Sequence, residues 1–154
     1  MNVLIIVICA IAGTLLMTAF VYTIASVINK KWKVIKVLGT MLCNETTPGG
    51  GLSNSRKSIT TGTVLHYGIG IVFAFFYHWL WTNHIGSPTM ESAFVFGIIN
   101  GIVGAFGWAV YFKFHKHPPM IQLKEYLLII AVSHVLFATG FVQSYRWALN
   151  IFNT

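Results

Sequence analysis

Charge is what this chain has least of. Of its 154 residues only 8% are charged, against about 25% in soluble domains. So little charge cannot cover a water-facing surface, which excludes an ordinary soluble domain. Acidic groups are scarcer still. Asp is absent, and the three carboxylates are Glu45, Glu91 and Glu125, each in or beside an expected loop. No paired carboxylates and no Ser/His/Asp set can be assembled from them, so hydrolysis finds no support and the chain reads as non-enzymatic. Ion-coupled transport ordinarily uses a carboxylate at membrane depth, and the spans contain none. Cysteine is limited to Cys9 and Cys43. Two are too few for a disulfide framework, and both read as free thiols.

What remains is hydrophobic: 56% of the chain. A hydrocarbon core of about 30 Å takes about 20 apolar residues per helix, and four such spans nearly exhaust the sequence. They are expected at 3–28, 61–81, 92–112 and 126–145, in an all-α integral membrane four-helix bundle that forms one domain over 1–154. The N-terminal run has no basic n-region and is too long for a signal peptide, so it reads as a retained helix. In residues 31–43, Val34, Ile35, Leu38, Met41 and Leu42 recur at helical spacing with Lys33 and Lys36 opposite. That pattern predicts a short amphipathic helix on the cytoplasmic membrane surface. Residues 44–58, with Pro48 and three consecutive glycines, predict a flexible loop. A phosphate-binding loop is not matched, because Arg56 stands where the motif needs glycine before Lys57-Ser58.

The net charge of +7 is unevenly placed. Nine of the ten basic residues are Lys30, Lys31, Lys33, Lys36, Arg56, Lys57, Lys113, Lys116 and Lys124, and only Arg146 lies elsewhere. Cytoplasmic loops are enriched in Lys and Arg, so loops 29–60 and 113–125 are expected inside and both termini outside. The basic excess thus reports orientation and implies no nucleic acid. Trp79, Trp81 and Trp147 would form an aromatic belt at the outer interface.

Polar residues at membrane depth are functional-site candidates by default. Counting from the cytoplasmic ends places Tyr22, His66 and Trp108 about 7–11 Å in, and Thr18, Asn100 and His134 about 15–20 Å in. Two readings stand. The polar groups hydrogen-bond one another and hold the bundle together, or His66, Asn100, His134, Thr18 and Trp108 form a site for a quinone, a lipid or a proton relay. Haem fits less well, since His66 and His134 differ by about 6 Å in counted depth. His115 and His117 are a weaker candidate pair of metal ligands. No cofactor is predicted. Gly97, Gly101, Gly104 and Gly107 share a face of the third span, where small residues let helices approach. That face would pack within the bundle or take a partner helix, from another membrane protein or a second copy of this chain.

Gly13-Thr-Leu-Leu-Met-Thr-Ala-Phe-Val-Tyr22, the His66 segment, Gly97 to Trp108, His115-Lys-His-Pro-Pro119, Tyr126 and His134 carry a resemblance across most of the chain. They resemble a group of small four-helix bacterial membrane proteins common in Bacteroidota. The resemblance implies that architecture and a bacterial inner membrane. It implies no mechanism, because the group has no assigned activity. The expectation is an accessory or scaffold component of an inner-membrane assembly, with a small-molecule or proton-relay site as the alternative and haem or metal binding behind both.

Overall fold

The computed structural model describes residues 2–30 and 33–152, without the side chain of Phe152. The described residues form five helices and no strand: α1 Val3–Val27, α2 Val34–Leu42, α3 Arg56–Thr82, α4 Met90–Phe114 and α5 Leu123–Phe152. All but α2 are long and apolar enough to cross a bilayer. By length and composition, then, this is a membrane protein.

Local chemistry sets the helix ends. Asn2, Ser55 and Thr89 cap α1, α3 and α4, each side chain accepting from a backbone N–H of the first turn. Asn29 and Asn44 adopt left-handed backbone (φ 51° and 54°) just past α1 and α2, a common way for a helix to stop. The Ser55 cap starts α3 at Arg56, five residues before the apolar run begins. Arg56 and Lys57 are exposed there, so the first turn needs no apolar face. At the other extreme α5 runs on past residue 145 to Phe152, carrying exposed Arg146 and Trp147.

The helices pack in the order α3, α1, α5, α4, with α1 and α5 in the middle. Close backbone approaches occur at glycines. An added Cβ at Gly13 would lie 2.7 Å from the Phe137 carbonyl oxygen, and one at Gly97 2.6 Å from Val135 Cα. At Gly101 it would collide with the Ala131 carbonyl. The face carrying Gly97 and Gly101 is therefore spent on α5 of the same chain and is not open to a partner helix.

Two apolar clusters result. Toward the termini, Tyr77, Trp81, Phe137, Phe141 and Tyr145 pack as an aromatic core. Phe141 stacks on both Trp81 and Phe137. Trp81 is thus a core residue rather than part of an interfacial belt, while Trp79 and Trp147 are 54% and 68% exposed. Toward the lysine-rich end, Val21, Val34, Val37, Met41, Tyr126 and Ile130 form the second cluster.

Two expectations about this end are corrected. The short helix begins at Val34 rather than 31, and Lys31 and Trp32 lie outside the described residues. Its apolar face is buried in the protein instead of resting on lipid. Val34, Val37 and Met41 are each no more than 2% exposed. Gly39 and Gly62 let α2 and α3 touch backbone to backbone, so protein offers α2 closer packing than lipid tails do. The segment 44–58 is likewise not a free loop. Glu45 accepts from the Ser53 and Ser55 hydroxyls, Ser53 N–H donates to Thr40 Oγ1 at 2.9 Å, and Met120 N–H donates to the Gly50 carbonyl at 2.8 Å. Polar side chains at intervals of two to eight residues tie it down where the glycines alone would leave it loose.

Candidate functional site: a cavity between α3 and α4

Because α1 and α5 occupy the middle of the row, α3 and α4 face each other without packing backbone on backbone. Toward the termini Tyr77 bridges them: its ring packs at a tilt against Phe96, centroids 5.2 Å apart, and its hydroxyl accepts a 2.6 Å hydrogen bond from Asn100 Nδ2. Toward the lysine-rich end no such bridge occurs among the described residues. A cavity of ≈260 Å³ lies there, walled by His66, Ile69 and Phe73 of α3 and by Val103, Gly104, Gly107, Trp108 and Tyr111 of α4. Met17, Ile130 and His134 close its back, and Val34 and Leu38 of α2 complete the lining. Ile69 and Val103 are 47% and 59% exposed, so the mouth faces sideways, toward lipid.

The polar groups in this apolar chamber are held in defined positions. His66 Nε2 lies 2.9 Å from Thr18 Oγ1, which is itself 2.7 Å from the Thr14 carbonyl. His134 Nδ1 lies 2.7 Å from the Ile130 carbonyl of its own helix. His134 rests edge-on against Gly104, where an added Cβ would lie 2.8 Å from Cε1 and 3.0 Å from Nε2. Gly107 differs from its neighbours on that face: an added Cβ there meets nothing within 4 Å. Gly104 and Gly107 thus make room for a ring and for the chamber, while Gly97 and Gly101 make room for a helix.

The structure regroups the residues singled out from the sequence. Thr18, His66, His134 and Trp108 come together at or beside the cavity. Asn100 does not join them, and sits with Tyr77 in the aromatic cluster. His66 and His134 line the same chamber despite their different counted depths. The discrepancy came from starting α3 at residue 61; counted from Arg56 and Leu123, the two histidines lie about 15 and 17 Å along their helices.

His115 and His117 do not form an open pair. His115 Nε2 is 2.8 Å from the Met41 carbonyl, and its Nδ1 accepts from His117 N–H at 3.1 Å. Both ring nitrogens of His115 are engaged in joining α2 to the α4–α5 connection. Among the described residues no group of three or more His, Cys, Asp or Glu is placed to hold a metal ion. At ≈260 Å³ the chamber falls just below the range of about 300–1,000 Å³ that takes drug-sized ligands.

Sequence reasoning missed Met17, Phe73 and Tyr111, which look like ordinary span residues, and it missed α2 as part of the site. It also missed the hydrogen bond of His78 Nδ1 to the Tyr145 hydroxyl, 2.9 Å long, near the opposite end. The one available signal was Gly107, a fourth glycine on a helix face where two suffice to pack α5.

Fold and cavity together define a class: a helical membrane bundle with a side-opening chamber carrying two histidines. Comparison with protein-family models, with curated proteins and with solved structures finds no match to the chain.

Proposed function

We propose that this is a non-enzymatic membrane protein that holds a small lipid-soluble molecule between α3 and α4. The observation that carries this reading is the lateral chamber itself: apolar walls, a mouth at exposed Ile69 and Val103, and two oriented imidazoles. A few placed polar groups in a mostly apolar concavity are the usual composition of a ligand site. Its size suits a ring-sized headgroup, with any tail passing out into the bilayer. The lysine-rich end faces the cytoplasm of a bacterial inner membrane and both termini face outward, supported by the basic residues gathered at one end.

Gly107→Leu tests the proposal. The side chain enters open space, so the bundle should fold while the chamber is filled. Mass spectrometry of organic extracts from protein purified in mild detergent should find a non-phospholipid molecule in wild type and not in the variant. A wild-type protein carrying no such molecule, or a variant carrying it equally, would refute the reading.

A second reading, assembly with a second copy of this chain, is favoured by one observation. Exposed Gln143 stands in a groove with Ala12, Leu16, Thr139, Gly140 and Ser144. Ala12 and Leu16 lie about 13 and 20 Å along α1, so this groove is at membrane depth. A primary amide both donates and accepts, so it can pair with its own copy across a two-fold axis. Crosslinking should trap a dimer that Gln143→Leu weakens; a wild-type monomer would dispose of it.

A further inference from the structure

The hydrogen bonds around the two imidazoles fix which nitrogen of each carries the proton. The Thr18 hydroxyl has one hydrogen, and the Thr14 carbonyl at 2.7 Å can only accept it. The 2.9 Å contact from Thr18 Oγ1 to His66 Nε2 therefore needs Nε2–H as donor, which leaves the lone pair of His66 on Nδ1. His134 is the converse case. Its Nδ1 faces the Ile130 carbonyl at 2.7 Å and must donate, which leaves the lone pair on Nε2, beside the Gly104 wall. Among the described residues no carboxylate lines the chamber to pair with an imidazolium, and each ring, held neutral, offers an acceptor there. Trp108 and Tyr111 also line it and bring N–H and O–H groups.

Resting on the reading of this chamber as a ligand site, we propose that its ligand carries a hydroxyl on a ring, a phenol or hydroquinone headgroup, that donates to His66 or His134. A hydroxyl supplies one donor together with acceptor lone pairs, and so serves the imidazoles and the Trp108 and Tyr111 donors alike. A carbonyl or ether of the same shape only accepts. It leaves an imidazole lone pair unpaired in an apolar chamber, which is costly. The site then distinguishes a reduced, hydroxyl-bearing ring from its oxidised or methylated counterpart by hydrogen-bond polarity, not by shape.

The test uses two probes, a para-alkylphenol and its O-methyl ether, titrated calorimetrically into the full chain in detergent. The phenol should bind at least about fivefold more tightly, the cost of one unpaired buried acceptor. His66→Leu or His134→Leu, whichever removes the accepting ring, should weaken the phenol and leave the ether unchanged, collapsing the ratio; a ratio kept in both variants would overturn the assignment. Should those variants fail to fold, Thr18→Val, which frees His66 Nε2, should lower the ratio in a folded protein. Equal binding of both probes to wild type, lost in Gly107→Leu, would overturn the hydroxyl assignment while leaving the ligand site standing. Binding of neither probe would overturn both.

Discussion

Two glycines six residues apart on α4 should answer the same substitution with opposite signs. At Gly101 a methyl group would collide with the Ala131 carbonyl oxygen and lie 3.0 and 3.1 Å from its carbonyl carbon and Cα. These are backbone atoms of α5 and cannot rotate aside, so α4 and α5 must separate locally. Overpacking of this kind costs about 1–3 kcal/mol. At Gly107 the same methyl meets nothing within 4 Å. Both substitutions gain about 0.5–1 kcal/mol from replacing glycine inside a helix. That gain cancels when the variants are compared with each other. Gly107→Ala should therefore exceed Gly101→Ala in stability by about 1–3 kcal/mol. Reversible unfolding in mixed detergent micelles, followed by far-ultraviolet circular dichroism, measures the difference. Equal stabilities would mean that α4 and α5 are not in the close contact from which the whole packing order follows.

Three further outcomes are expected. Tyr77→Phe removes the acceptor of the buried Asn100 amide and should cost about 0.6–1.7 kcal/mol, the range for polar contacts between membrane helices, in the same unfolding assay. The Ser55 and Ser53 hydroxyls, aided by Lys57, hold the Glu45 carboxyl below the usual carboxylate value. Because the folded value is the lower one, its contribution is complete above the ordinary carboxylate range and disappears as pH falls through the folded value. Amide protection factors across 43–55 should drop on acidification in wild type and show no such step in Glu45→Gln. Finally, Cys43 is partly exposed at the lysine-rich end while Cys9 is buried. A membrane-impermeant maleimide should label inverted inner-membrane vesicles and spare intact cells, and the reverse pattern would overturn the proposed orientation.

The helices were legible because lipid imposes a coarse rule, about 20 apolar residues without charge, that composition alone satisfies. Their ends were not, because Ser55 caps α3 through a single side-chain hydrogen bond that hydropathy does not register. That five-residue error was enough to assign His66 and His134 to different layers. The glycine face was legible as a packing surface, yet its division was not. Gly97 and Gly101 are filled by α5, Gly104 by an imidazole and Gly107 by nothing, and identical spacing in the sequence hides these different neighbours. Asn100 went astray for a related reason: depth along a helix says nothing about rotation around it, and Tyr77 claimed its amide.

Helix α2 lines one side of the chamber, and this leads to a prediction about the helix that sequence reasoning left on the membrane surface. Nine residues are fewer than the roughly 12–15 that an isolated helix needs in water, so α2 persists through its docking. Val34 and Leu38, one turn apart, reach the chamber, while His115 grips the Met41 carbonyl at the far end of the helix. Between them the backbone of α2 lies directly on Gly62, where an added Cβ would collide with the Ile35 carbonyl and approach Gly39 N to 2.9 Å. Gly62→Val should lift α2 from α3 while leaving the contacts of α1 with α3 and α5 and of α4 with α5 in place. Amides 34–42 should then lose their exchange protection, those of α5 should keep theirs, and ligand retention should fall with no substitution at the histidines. If 34–42 stay as protected as in wild type, backbone contact at Gly62 is not what holds α2, and its closure of the chamber needs another cause.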